Sequence, residues 1–209
     1  MSSPGIIIHP FATRWILQVK FIVGLTTHVR GGSITLEVLN YFEKGESIWK
    51  VKVPKRVAFF MWTAAHGQIL TLDNLMLRAY PLANCCCMCY CNAESVDHLL
   101  LFCPIAHSLW TYMLWLFGIN WVMLDSVVDL FFCWYHWLGK HSSDIWNLVS
   151  GCLLWTIWTK QNQQSVEDER KTVVQLLECC QRSIFDWSRC WGLSDCSTLM
   201  DFLLSIRIA

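Results

Sequence analysis

Five cysteines fall within the seven positions Cys85-Cys86-Cys87-Met88-Cys89-Tyr90-Cys91. Of all the pairs they offer, Cys86 and Cys89 alone have two residues between them. That spacing lets two thiolates grip one tetrahedral ion from a tight turn whose amides can also point at sulfur. Cys85 with Cys87, and Cys87 with Cys89, stand too close for that grip. Downstream, His98 and Cys103 complete C-x2-C-x8-H-x4-C, a Cys3His set. Four ligands fill a tetrahedron and leave no position for water, which suits a structural metal, and thiolates favour zinc over hard cations. The opposing reading is of packed free thiols and a capping histidine, since free Cys behaves as a small buried hydrophobe. Cys85, Cys87 and Cys91 read as non-ligands on either view.

The spacing also constrains local structure. On an α-helix at about 100° per residue, His98 and Cys103 lie roughly 140° apart and cannot share a face. The helix carrying His98 must therefore end before Cys103, and Pro104 supplies a reason for the ending. Glu94 or Asp97 is expected to accept the second ring N–H of His98, with a backbone carbonyl as the alternative.

A second constellation is basic. Lys50, Lys52, Lys55 and Arg56 lie within seven positions, flanked by Trp49, with Arg78 further along. Lys and Arg on phosphates, with stacking on an exposed aromatic, are what a single-stranded RNA or DNA site requires. The competing reading makes the charges a solvated face and sends Trp49, Phe59, Phe60 and Trp62 into the core. Other chemistry finds no support: the chain has no Asp-Asp pair for two-metal phosphoryl transfer, no Walker loop, no G-x-G-x-x-G, no H-E-x-x-H and no G-x-S-x-G. The expectation is a protein that is not an enzyme.

The elements that must position these residues read as helices. Ile48 to Val53 alternates apolar and polar residues until Pro54, which opens a helix over about 54 to 66 with Gly67 as its stop. Thr71 is expected to cap a second helix ending near Tyr80-Pro81, and Ser95 a short one over Val96 to Phe102. Ile105 to Phe117, Val127 to Leu138, Ile145 to Lys160 and Val166 to Trp187 follow. Gly118, Gly139 to Ser142 and the polar Gln161 to Ser165 are read as separators. On the last helix Val173, Leu176, Leu177, Ile184 and Trp187 form an apolar stripe that packs on this domain or, in the alternative, on another chain. Residues 1–46 are poorly patterned. The predicted fold class is mainly α: a small helical domain with a zinc-knuckle turn over 47–118, then a helical extension over 119–209.

Composition bounds the setting. Hydrophobic residues make up 55% of the 209, thirteen are Trp, and charged residues are 15%. A folded chain is expected, and a large apolar surface needs covering. Sixteen basic and sixteen acidic residues cancel, so nucleic-acid affinity must come from a local patch. Twelve cysteines without a sequon or a good signal peptide indicate a reducing, intracellular site, in nucleus or cytoplasm. Ser108 to Leu124 and Ile145 to Thr159 carry no charge, but both fall short of the roughly 18 to 20 residues a spanning helix needs. No membrane partner is expected.

Several blocks together carry a resemblance: Ile48-Trp49-Lys50-Val51-Lys52-Val53-Pro54-Lys55-Arg56-Val57-Ala58-Phe59-Phe60-Met61-Trp62, then Gln68 to Leu75, Cys86-Cys87-Met88-Cys89, Glu94 to Leu99, and Cys103-Pro104-Ile105-Ala106 with Trp110. In order and spacing they resemble the reverse transcriptase zinc-binding domain, found near the C-terminus of plant LINE-type non-LTR retrotransposon polyproteins and in derived stand-alone genes. The resemblance implies one structural zinc on Cys86, Cys89, His98 and Cys103, with polymerase and endonuclease segments absent. It implies a module that assists RNA or single-stranded DNA binding. The alternatives are a protein-interaction module docking through its C-terminal helices on a retroelement polymerase or host protein, and a decayed element with no function. Where relatives read Glu-Arg-Asn near the C-terminal helices, this chain has Lys160-Gln161-Asn162.

Overall fold

The computed structural model describes residues 46–80, 83–119, 123–134, 144–167 and 171–208. All but the last of the poorly patterned residues 1–46, and the end of the helix expected to reach Leu138, lie outside them. Among the described residues every regular element is helical, as the mainly α reading requires.

The first helix, α1 (Glu46–Lys50), takes up the start of the alternating stretch, and the pattern survives in Val51 to Val53, where both valines are buried around a partly exposed Lys52. Pro54 then stands just outside α2 (Lys55–Ala65) rather than in its first position. Its carbonyl receives the amides of Val57 and Ala58 at 2.8 and 3.1 Å. Val57, Phe60, Met61 and Ala64 turn one stripe of α2 inward. At the other end Gly67 adopts φ +63°, and Gln68 N–H reaches back to Thr63 O at 2.9 Å, closing the helix as the sequence predicts.

Thr71 does precede α3 (Leu72–Met76), but its side chain does not cap that helix. The hydroxyl donates to Asp73 instead, and the Leu72 amide is taken by Glu94 Oε1 at 3.1 Å. Ser95 caps as expected, accepting from His98 N–H at 3.1 Å. The turn that follows, His98–Phe102, is wound as a π-helix. Its exit leads directly into α4 (Pro104–Leu116), with Pro104 in the first turn.

Beyond α5 (Val127–Cys133), the long α6 (Asp144–Glu167) corrects the sequence reading. The polar run Gln161 to Ser165 is no separator; it continues the helix, with Gln161 hydrogen-bonded to Glu94 and Gln164 to Cys87 in the cysteine turn. The break comes just before α7 (Val173–Cys190), which opens with a capping box between Thr172 and Gln175. A further helix, α8 (Leu199–Ile208), was not foreseen in the sequence.

What covers the apolar surface is a core shared along the chain. Phe60 of α2 meets Trp155 and Trp158 of α6, with ring centroids 5.6 and 5.0 Å apart. Trp134 stacks on Trp146 at 4.3 Å and receives Trp110 edge-on at 5.8 Å. The stripe on α7 packs inward, with Leu176 and Ile184 buried and Val173, Leu177 and Trp187 packed against the core. Gly151 sits where α6 passes α2: a Cβ there would lie 2.9 Å from Met61 Sδ and 3.1 Å from Val53 Cγ1. That close approach explains a mid-helix glycine despite its propensity cost of about 1 kcal/mol. No helix among the described residues is long and apolar enough to cross a membrane.

Candidate metal centre

The cysteine turn is a compact loop. Cys86 N–H donates to Asn92 O, and Cys86 O accepts from Tyr90 N–H, both at 2.8 Å, with Tyr90 in the left-handed region at φ +56°. This folds the Cys86 and Cys89 side chains toward the π turn. There the winding removes a difficulty in the sequence. In an i→i+5 helix each residue advances by about 80°, so five residues pass one full turn by only about 40°, against roughly 140° on an α-helix. Cys103 N–H bonds to His98 O at 2.5 Å, which brings His98 and Cys103 close to one face. An α-helix would hold them apart.

As a result, one ligand atom from each of Cys86, Cys89, His98 and Cys103 lies within 4.8 Å of every other. Cys89 Sγ is 3.4 Å from His98 Nε2, close to the roughly 3.6 Å edge expected of a tetrahedron with zinc–sulfur and zinc–nitrogen bonds of 2.3 and 2.0 to 2.1 Å. Cys86 and Cys103 are buried and the other two partly so. The Cys86 thiol is pushed up by its contact with Cys103 and by burial, while backbone amides of Cys89 and Met88 face its sulfur and oppose the rise. Cys103 is held below the ordinary thiol range, first by Cys86, with burial opposing and the amides of Ile105 and Ala106 assisting. Those two amides belong to the first turn of α4, where N–H groups lack helical partners. Burial lowers the His98 pKa and favours the neutral imidazole, the form that binds metals.

The other three cysteines of the run stay outside this cluster. Cys85 and Cys91 are exposed, the latter directed at Cys89 O at 3.0 Å, and Cys87 Sγ faces Gln161 O at 3.9 Å. Two carboxylates expected beside His98 are engaged elsewhere: Glu94 with the Leu72 amide and Gln161, and Asp97 with the Val127 amide at 2.9 Å. Both accept amides at the starts of neighbouring helices, where N–H groups lack helical partners.

The residues that sequence reasoning missed lie on α6. Gln164 Nε2 donates to Cys87 O at 2.5 Å, and Gln161 Nε2 to the buried Glu94 at 3.1 Å. Their signal was the unbroken amide run Gln161 to Gln164 inside an otherwise apolar helical pattern.

The basic constellation is dispersed by its contacts. Trp49 is exposed, as are Lys50, Lys55, Arg56 and Arg78. Lys52 pairs with Asp144 at 2.6 Å, and the Arg56 guanidinium lies over the Trp155 ring, 5.7 Å from its centroid. Of the aromatics assigned to the core, Phe60 is buried, Phe59 and Trp62 are partly so, and Trp49 is not.

Comparison with known proteins finds a family match over residues 34–110, to the family described as zinc-binding in reverse transcriptase. An Arabidopsis thaliana protein described as a ribonuclease H protein is 33% identical over 63 residues, which span 30% of this chain and 10% of that protein. The match therefore spans about a tenth of that relative's length. No solved structure matches.

Proposed function

We propose that the chain, which matches the family described as zinc-binding in reverse transcriptase over residues 34–110, is a non-catalytic module derived from a retrotransposon polyprotein. One structural zinc on Cys86, Cys89, His98 and Cys103 holds it, and it assists the binding of RNA or single-stranded DNA. The observation that carries the zinc assignment is the closed cluster of four ligand atoms within 4.8 Å. Bound zinc would supply a cross-link between the cysteine turn and both ends of the π turn, with no open coordination position for a substrate. The chain's own residues present two thiols from the turn, an imidazole at the start of the π turn and a thiol at its exit.

Metal analysis of purified protein tests this directly. Wild type and Cys87→Ser are expected to hold one zinc each, whereas Cys86→Ser and His98→Ala lose it. Equal zinc in all four proteins would sink the assignment, because Cys87 differs from Cys86 by one position and faces α6 instead of the cluster.

The nucleic-acid role is supported by Trp49, 51% exposed, beside exposed Lys50, with Lys55 and Arg56 one helix start away. Binding of single-stranded RNA should weaken with salt, and Lys50→Glu with Lys55→Glu should lower the salt slope by about 0.7 for each phosphate no longer neutralised. Unchanged binding in the double variant removes this face from the proposal. Absence of RNA binding altogether favours the protein-interaction reading.

A further inference from the structure

We propose that Gln164, on α6 and outside the 34–110 family match, is a positioning residue for the metal-binding turn. The inference rests on the zinc reading above. Gln164 is buried, and its amide nitrogen donates to the carbonyl of Cys87 at 2.5 Å and lies 3.4 Å from the Tyr90 hydroxyl. Cys87 stands between the two cysteines of the grip, and its carbonyl belongs to the same peptide plane as the Met88 amide. That peptide is trans, so its C=O and N–H point in opposite directions. With the carbonyl drawn toward α6, the Met88 N–H is turned toward the Cys86 sulfur, which it faces. A single hydrogen bond from outside the turn thus orients a donor that steadies a ligand thiolate.

Gln161 adds a second tether one helical turn earlier. It binds Glu94, which also holds the Leu72 amide, and so fixes the loop between Cys89 and His98. The support is rigid because α6 is anchored by Trp146, Leu153 and Trp158, all buried. The metal-binding turn is therefore built in two parts: ligands from one segment of the chain, and their orientation from a glutamine some sixty residues beyond the last of them.

The opposing explanation is that Gln164 only fills space. Gln164→Met separates the two, because it keeps length and bulk while removing the donor. Gln163→Met is the control on the same helix, since Gln163 Oε1 binds Lys171 at 3.1 Å and not the turn. Zinc transfer from the full-length protein to a chromophoric chelator is the rate to measure. The thiolate-to-metal absorption bands of the cobalt-substituted protein report the ligand geometry. Gln164→Met is expected to retain one metal yet release it about 10-fold faster, with shifted cobalt bands, while Gln163→Met matches wild type. Wild-type release and bands in Gln164→Met, or equal acceleration in Gln163→Met, overturn the inference. Should Gln164→Met fail to fold, Gln164→Asn keeps the amide but is too short to reach Cys87; faster release there supports the role and wild-type release overturns it. A wild type that takes up no metal brings down the zinc reading and this inference with it. A wild type that holds zinc no more firmly than Gln164→Met brings down this inference alone.

Discussion

Removing zinc from the folded protein with a strong chelator at neutral pH is expected to lower the thermal midpoint by about 10–20 °C, the shift that a loss of about 5 kcal/mol produces in a chain of this size. Structural zinc contributes about 10–16 kcal/mol in small finger peptides, as much as the whole stability of an ordinary domain, about 5–15 kcal/mol. The loss here should be smaller, because α6 already holds the turn through Gln161 and Gln164. It should still be large. Between residues 83 and 97 only Cys86, Met88 and Val96 are buried apolar side chains, too few to hold the loop against its chain entropy. Without the metal, two buried sulfurs also remain face to face, one pushed up in pKa by the other. Hydrogen exchange should localise the damage. The amides of Cys86, Tyr90, Leu99 and Cys103 lose protection, while those of α2 and α7 keep most of theirs. An unchanged midpoint after verified zinc removal would mean that the cluster is simply packed thiols.

Trp146→Ala is expected to cost about 3–5 kcal/mol through lost burial and the cavity left behind, with about 0.5–1.5 kcal/mol more for the broken aromatic pair. Trp146 is fully buried, stacked on Trp134 at 4.3 Å and met edge-on by Phe117 at 4.9 Å. It links α6 to the ends of α4 and α5. Urea unfolding beside Trp191→Ala is the measurement. Trp191 is 53% exposed, and its replacement should change stability by no more than about 0.5 kcal/mol. A Trp146→Ala midpoint as close to wild type as that of Trp191→Ala would show that the aromatic stack contributes little. A reduced midpoint with one zinc retained would separate the core from the metal turn.

Legibility in the sequence followed the range of the interactions. Helix ends set by neighbouring residues were read well: Gly67 stops α2, and Ser95 receives the His98 amide. The cap of α3 was misassigned to Thr71, because its true acceptor, Glu94, lies 22 residues away. The end of α6 was placed too early for a related reason. Gln161 to Gln164 look like a solvent-facing break when only local pattern is considered, and their hydrogen bonds cross 67 and 77 residues of chain. The helix α8 was missed altogether, although Thr198 marks its start by accepting the Asp201 amide at 3.2 Å and donating its hydroxyl to the Asp201 carboxylate at 2.6 Å.

Residue type and spacing, with the family resemblance, were enough to single out Cys86, Cys89, His98 and Cys103 as a candidate set from a crowded run, and the fold brings their ligand atoms within 4.8 Å of one another. They were also enough for the helical class, since apolar periodicity and local stops are short-range properties. They could not supply the π winding that brings His98 and Cys103 onto one face, the diversion of Glu94 and Asp97 to helix ends, or the pairing of Lys52 with Asp144 across 92 residues. Each of these depends on which distant groups the folded chain brings within hydrogen-bonding reach. Such groups are chosen by the packing of the aromatic core and leave no pattern in the local sequence.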